Sequence, residues 1–195
     1  MNGQRWRCIM FAELVHKAAP RAIVETGTYL GTTTEWLAAF QLPVFTCEAN
    51  PENYGFAKAR LRAIPNVRVV QADSRAFLEQ LLDTPVAAGP NLFYLDAHWD
   101  ADLPLAEELE IIFGRARDSV VVIDDFEVPG DPGYGFDDWG TDKVLNAAYI
   151  SGALERFNLH AYYPTTSSAC ETGALRGCVV LAHRTLSDVS LLRPL

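Results

Sequence analysis

The alternation of short apolar runs with helix-like patterns constrains this chain more than any other feature of its sequence. Five runs rich in branched and aromatic residues follow one another, separated by stretches with apolar residues at helical spacing. The runs cover residues 22–24, 44–47, 67–70, 92–95 and 120–123. Such β-then-α units predict a parallel sheet with helices on both faces. The runs are almost continuously apolar, as expected where both faces of a sheet are buried.

The last third of the chain breaks this alternation. A Gly-, Pro- and Asp-rich loop over residues 127–140 precedes a helical pattern over 141–155. Two further apolar runs, 159–163 and 178–181, flank a turn-rich stretch and predict a closing antiparallel hairpin. The predicted fold is therefore α/β, a doubly wound, mostly parallel sheet of seven strands with helices on both faces and this hairpin at its end.

The helix predicted after the fourth apolar run contains several glutamates, so its orientation decides whether any of them is buried. Leu105, Leu109 and Ile112 recur at helical spacing after the fourth apolar run. The stripe predicts a helix that buries these residues. Its acids, Glu108 among them, are expected to turn mostly toward solvent.

Length and charge exclude several classes of protein. The chain has 195 residues, which favours one domain, 1–195, with a short N-terminal helical extension over 1–20. That extension has no long apolar stretch, so no signal peptide is expected. No run approaches the ~20 residues of a membrane helix. A net charge of −9 argues against nucleic acid or an anionic membrane as a partner, because both are polyanions.

The four cysteines suggest no metal site. They form no C-x-x-C pair and lie near no histidine at zinc spacing. They are expected to be reduced thiols of a cytoplasmic protein. A Cys170–Cys178 bridge across a hairpin is the alternative.

The first strand ends in a loop with two glycines, Gly27 and Gly31, that runs from Glu25 to Thr33. Ligands of open α/β sheets bind at the carboxyl ends of the strands. The glycines allow a close backbone approach, and the following helix offers free N–H groups. The loop matches neither G-x-G-x-x-G nor the Gly-Lys-Ser/Thr of a P-loop. An acid at its start suits a cationic or amine-bearing ligand better than a phosphate, and a simple tight turn is the alternative interpretation.

Two more strand ends carry acids. Glu48, at the end of the second run, is placed to accept both hydroxyls of a ribose. Its alternative role is to cap the helix that begins near Pro51. Asp73 and Ser74 follow the third run and offer either an acceptor for an adenine amino group or a cap for the third helix.

Three carboxylates follow the fourth and fifth runs, at Asp96, Asp124 and Asp125. These runs are expected to be neighbours, so the carboxylates would meet, and like charges that close require a proton or a cation. Oxygen donors suit a hard divalent ion such as Mg²⁺. His98, two residues beyond Asp96, is then the candidate general base. The alternative is that the acids diverge into solvent or bind loops.

Together these residues resemble the class I S-adenosylmethionine-dependent methyltransferases, over about residues 20–185. Glu25-x-Gly27-x-x-x-Gly31 looks like the first motif of that class. The segments that contain Asp96 and Asp124-Asp125 resemble the metal-bearing segments of its catechol-type and macrolide-sugar-type O-methyltransferases. The resemblance implies S-adenosylmethionine and Mg²⁺, or another divalent cation, as cofactors. It implies cofactor contacts at Glu25, Gly27, Thr28, Gly31, Thr32, Glu48, Ala49, Asp73, Ser74 and Asp96, and metal ligation by Asp96, Asp124 and Asp125.

The resemblance also implies a reaction. A hydroxyl of a small molecule would be placed in line with the methyl group, and the metal would lower its pKa. The catechol type has a lysine base where this chain has Trp99, and the macrolide-sugar type has an acidic base where this chain has His98. That His98 takes the proton is therefore inferred from its position beside Asp96, and the resemblance does not imply it. The loops over 127–140 and 164–177 would line the acceptor pocket. The N-terminal extension is shorter than in many such enzymes. This leaves an open acceptor site, or one completed by a second copy of the chain in a homo-oligomer.

Three other functions are kept as alternatives. A nicotinamide-dependent oxidoreductase could share the fold, although the third glycine is missing. A non-catalytic module could bind S-adenosylmethionine without transferring its methyl group. A metal-dependent glycosyltransferase could use Asp100-Ala101-Asp102 as a D-x-D motif.

Overall fold

A computed structural model describes residues 1–98 and 102–194 of the chain. The chain forms two compact units. The central unit is Pro20–Ser119, and the terminal unit combines Met1–Ala19 with the chain from Val120 onward. In chain order the helices are α1 (Arg5–Ala18), α2 (Thr32–Ala38), α3 (Pro51–Leu61), α4 (Ser74–Leu82), α5 (Leu105–Arg115) and α6 (Ala147–Phe157). The strands are β1 (Ile23–Thr26), β2 (Val44–Glu48), β3 (Val67–Gln71), β4 (Leu92–Leu95), β5 (Val120–Asp124), β6 (His160–Pro164), β7 (Cys178–Ala182) and β8 (Leu192–Pro194).

The central unit is the parallel part of the predicted fold. Its strands lie in the order β3-β2-β1-β4, and all three pairings are parallel. Ile23 on β1 pairs with Val44 on one side and with Leu92 on the other. Every residue of β1 and β4 is buried, as the apolar runs predict for strands covered on both faces. The parallel register brings the carboxyl ends of β1, β2 and β4 to one edge.

The terminal unit is antiparallel, in the strand order β5-β7-β6-β8. Val120 lies opposite Ala182, which lies opposite His160 on its other side. The predicted antiparallel pairing of β6 with β7 is therefore confirmed. The short strand β8, opposite β6, was not predicted. Its three residues are too few to show a period in the sequence.

The predicted helix over 141–155 begins later, as α6. Gly140 and Asp142 have left-handed backbone angles, with φ of 95° and 63°, and an α-helix of L-residues excludes such angles. The α6 N-cap is Asn146, whose side chain accepts a hydrogen bond from the N–H of Tyr149 at 3.1 Å. The loop after β5 is therefore longer than predicted.

All four cysteines are free thiols, so the Cys170–Cys178 alternative is wrong. Cys47 and Cys178 are buried in strands, where a thiol packs as a small apolar side chain. Within the described ranges, no helix has both the length and the apolarity needed to cross a membrane.

Candidate cofactor-binding site

The glycine loop of the central unit lies against the end of β4. Gly27 has φ of 82°, and a Cβ atom on it would collide with the backbone carbonyl of Asp96. Gly31 has φ of 77°, and its Cβ atom would lie 3.0 Å from Leu61 of α3. A side chain at Gly27 would clash with backbone, and one at Gly31 would be strained by the left-handed backbone and would push against Leu61. The two glycines thus serve the close approach that their spacing predicts.

Glu25 lies beneath this loop rather than at its surface. It is 1% exposed, and the hydroxyls of Thr34 and Thr46 both donate to its Oε2 atom. The Thr46 hydroxyl also lies 2.6 Å from that of Thr28, inside the loop. Burial raises the pKa of Glu25 to about 7, against the opposing effect of the two hydroxyls. Glu25 therefore joins β1, β2 and the start of α2, so its support of the loop is indirect.

Glu48 connects two backbone segments at the end of β2. Its Oε2 atom accepts a hydrogen bond from the N–H of Tyr29 at 2.7 Å, and its Oε1 atom accepts one from the N–H of Asn50 at 2.8 Å. Asn50 itself caps α3 by accepting from the N–H groups of Glu52 and Asn53. The α3 cap is thus Asn50, and Glu48 is a half-buried carboxylate held between the glycine loop and the α3 turn.

Asp73 caps α4, which was one of its two predicted roles. It accepts from the N–H of Arg75 at 3.0 Å and from the guanidinium of the same residue at 2.7 Å. That guanidinium also reaches Asp102 at 2.8 Å and Glu107 at 3.2 Å. The hydrogen bonds from the Arg75 guanidinium, with its charge, hold the pKa of Asp73 below its ordinary value against the opposing effect of burial. Ser74, beside it, is buried.

The prediction that the acids of α5 turn mostly toward solvent is wrong for Glu108, whereas Glu107 is exposed as expected. Glu108 is completely buried, on the same helical stripe as Leu105 and Ile112. Burial raises its pKa to about 7, and the nearby hydroxyls of Ser74 and Thr26 partly oppose this rise. Its position three residues after Leu105 could have revealed it, because residues at that spacing share a helix face.

Asp96 and His98 lie at the end of β4. The N–H of Asp96 donates to the carbonyl of Thr26 at 3.0 Å, which holds this end of β4 against β1. His98 is buried, and one of its ring nitrogens lies within 4.8 Å of a carboxylate oxygen of Asp96. These two side chains could share a proton or a cation. Asp100 and Ala101, part of the D-x-D alternative, lie outside the described residues.

Asp124 and Asp125, in the terminal unit, each meet an arginine. Asp124 forms a buried ion pair with Arg7, and it also accepts from Asn2 at 3.3 Å and from the N–H of Asp125 at 2.9 Å. Asp125 pairs with Arg176 at 2.6 Å. Burial and then the Asp124 charge raise the pKa of Asp125 to about 6. Sequence reasoning missed both arginines, because Arg7 is 117 residues and Arg176 is 51 residues from its partner.

The two predicted acceptor-side loops contact each other through Tyr134. Its side chain is buried, and its hydroxyl donates to the carbonyl of Thr166 at 3.0 Å. A small cavity of about 10 Å³ in the terminal unit is lined by Tyr134, Trp6, Met10 and Pro164. Tyr134 is therefore a packing residue as well as a wall of this cavity, whereas Trp139 is exposed.

No known sequence family and no curated protein sequence matches the chain. Solved structures do match it. A Staphylococcus aureus protein provisionally assigned as a caffeoyl-CoA O-methyltransferase has a TM-score of 0.66 at 17% identity, over 91% of this chain and 82% of that one. The O-methyltransferase TomG from Streptomyces achromogenes, in complex with S-adenosylmethionine, has a TM-score of 0.57 at 20% identity, over 90% of this chain and 78% of that one.

An O-methyltransferase from Bacillus cereus, in complex with S-adenosylhomocysteine, has a TM-score of 0.56 at 21% identity, over 89% of this chain and 79% of that one. At identities of 17%, 20% and 21%, these matches establish that the chain shares its fold with these proteins. The fold is that of the Rossmann-like methyltransferases, as the sequence resemblance implied.

Proposed function

We propose that the chain is an S-adenosylmethionine-dependent methyltransferase that acts on a hydroxyl group of a small molecule. The observation that carries this proposal is the placement of Glu48. Its two oxygens bind N–H groups of the glycine loop and of the α3 turn, and each oxygen keeps a lone pair for a ligand hydroxyl. A half-buried carboxylate fixed at the carboxyl end of a parallel strand is the arrangement that recognises a ribose.

The remaining cofactor contacts are proposed around that carboxylate. The glycine loop would hold the amino-acid part of the cofactor against its backbone, with Glu25 holding the loop from below. Asp73 and Ser74 would meet the adenine at the start of α4, where Arg75 already orients the Asp73 carboxylate. The proposed contacts are Gly27, Thr28, Gly31, Thr32, Glu48, Ala49, Asp73, Ser74 and Asp96, while Glu25, which the sequence also indicated, would act indirectly through the loop. The cofactor supplies a methyl group that its sulfonium already activates, so the chain has to position the acceptor and manage one proton.

The proposal also includes a divalent metal ion that assists the reaction. The sequence indicates Asp96, Asp124 and Asp125 as its ligands. Such an ion would lower the pKa of the acceptor hydroxyl. Asp96 fits this role, because its carboxylate and the His98 imidazole offer neighbouring oxygen and nitrogen donors. Asp124 and Asp125 fit it less well, since each already pairs with a guanidinium.

Calorimetry with S-adenosylhomocysteine tests the proposal. We expect the wild-type chain to bind it and Glu48→Gln to weaken binding by ~1.5–3 kcal/mol, because a charge-assisted hydrogen-bond acceptor is lost. Glu52→Gln, four residues along on exposed α3, is the matched control and should bind like the wild type.

Absence of binding to the wild type would contradict the proposal, and undiminished binding to the Glu48 variant would contradict the ribose assignment. NAD, titrated in parallel, tests the oxidoreductase alternative. Binding without methyl transfer to any hydroxyl acceptor would favour the non-catalytic module.

The general-base role proposed for His98 has its own test. His98 is buried beside the Asp96 carboxylate, which can orient the imidazole or stabilise its charged form. We expect His98→Ala to lower kcat by ~10²–10⁴ with S-adenosylhomocysteine affinity little changed, as loss of a general base does. His160→Ala, on the exposed end of β6, is the control. A loss of affinity at unchanged kcat would place His98 in the cofactor pocket instead.

A further inference from the structure

Two arginines neutralise the two aspartates at the end of β5. Arg7 and Asp124 form an ion pair whose side chains are 2% and 1% exposed. Arg176 donates from Nε to Asp125 at 2.6 Å and from Nη2 to Asp137. All five residues belong to the terminal unit. Each aspartate at this strand end therefore has a cation from the chain itself.

The backbone on both sides holds Arg176 in place. The N–H of Gly135 donates to the carbonyl of Leu175 at 2.8 Å, and the N–H of Gly177 donates to the carbonyl of Gly135 at 2.8 Å. A Cβ atom on Gly135 would lie 3.2 Å from Nη1 of Arg176, and one on Gly177 would collide with the carbonyl of Phe126. Gly135 thus leaves room for the guanidinium, Gly177 lets the chain approach Phe126 closely, and the backbone hydrogen bonds fix the chain on both sides of Arg176.

The two arginines neutralise the adjacent carboxylates for which the sequence predicted a proton or a bound cation. Adjacent aspartates at one strand end are unfavourable without a cation, and a divalent ion is one solution. Arg7 and Arg176 are another. Together with Asp137 the group has three negative and two positive charges, so a divalent ion at Asp125 would face a fixed guanidinium at short range.

We infer that Arg176 is the resident cation of Asp125 and holds there the place that the sequence pattern assigns to a divalent ion. Arg7 does the same at Asp124, where the carboxylate also anchors the N-terminal segment through Asn2. Arg176 is thus a positioning residue, since it sets where the Asp125 carboxylate points and which cation it accepts. This role of Arg176 at the end of β5 does not depend on whether the chain transfers methyl groups.

Mn²⁺ alone is the probe, followed by electron paramagnetic resonance on the full chain. We expect Arg176→Gln to bind Mn²⁺ about tenfold or more tighter than the wild type, because the guanidinium no longer opposes the ion at Asp125. Arg184→Gln removes the same charge from an exposed position of the same unit, and it should leave Mn²⁺ affinity at the wild-type level. Adding Asp125→Asn to Arg176→Gln should abolish the gain.

Unchanged affinity in a folded Arg176→Gln variant would overturn the inference. If circular dichroism shows that variant to be unfolded, Asp125→Asn in the wild type decides. Unchanged Mn²⁺ affinity supports a resident arginine, and weakened affinity overturns it. S-adenosylhomocysteine calorimetry on the same samples reports on the proposed methyltransferase separately, because it measures the central-unit residues and uses no metal.

Discussion

At the scale of single residues, the central unit is notable for two buried glutamates. Glu25 has two hydroxyl donors, and Glu108 has only the less direct help of Ser74 and Thr26. Burial disfavours the charged form of a carboxyl group, so the pKa of each rises to about 7 from an ordinary value of 4.5. Both acids are therefore neutral at mildly acidic pH, and both become charged near neutrality.

The pH dependence of stability follows from the sign of this shift. A carboxyl group with a raised pKa in the folded state binds its proton more tightly there than in the unfolded state. Its burial is therefore tolerated below about pH 4.5, and stability falls as the pH rises through about 7. We expect Glu108→Gln to raise the free energy of unfolding at pH 8 by about 1–3 kcal/mol and to change it little at pH 5.

Urea denaturation at the two pH values measures this difference. Glu79→Gln, exposed on the adjacent helix α4, is the matched control and should shift stability equally little at both. A Glu108 variant that is less stable than the wild type at pH 8 would show that the buried carboxylate makes hydrogen bonds worth more than its desolvation costs.

At the scale of elements, α1 depends on a loop far along the chain. Its N-cap residue, Gln4, makes no side-chain cap. Glu171 instead accepts from the N–H groups of Trp6 and Arg7, both at 3.0 Å, and Thr172 accepts from that of Arg5. A carboxylate at this position satisfies orphan N–H groups and complements the positive end of the helix dipole.

We expect Glu171→Ala to lower the free energy of unfolding by about 1 kcal/mol, as the loss of a helix cap usually does. Amide exchange at Trp6 and Arg7 should accelerate with it, because their N–H groups lose their acceptors. Glu155→Ala is the control, because it removes an exposed carboxylate from the last turn of α6, the end of a helix at which a carboxylate is no cap. Equal effects of the two substitutions would reduce Glu171 to an ordinary surface charge.

Most elements could be predicted from the sequence, and the exceptions have physical causes. Strands β1 to β5 are short apolar runs, and their pattern needs no tertiary information. The start of α6 could not be placed, because it depends on left-handed angles at Gly140 and Asp142. The helical spacing correctly predicted that Leu105 and Ile112 are buried. It did not predict the burial of Glu108, because charged residues are rarely found on the buried face of a helix.

At the scale of the whole molecule, the candidate site divides into predictable and unpredictable parts. Glu48 and the two loop glycines lie at strand ends, which the order of strands and helices makes recognisable. Arg7 and Arg176 could not be predicted, because their partners lie far away in sequence and any surface acid could have paired with them. The net charge of −9 does not reveal that Arg7 and Arg176 form ion pairs with the aspartates at the end of β5.

The terminal unit is built from two separate segments of the chain, and this determines the order in which its parts can fold during synthesis. The central unit, Pro20–Ser119, is one continuous stretch, so all its contacts are available once that stretch has left the ribosome. Helix α1 precedes the central unit along the chain, but its first turn is capped only once Glu171, 165 residues after Trp6, is available. A helix of 14 residues is marginal alone in water. Helix α1 is therefore synthesised before the central unit but becomes ordered only after Glu171 has been made.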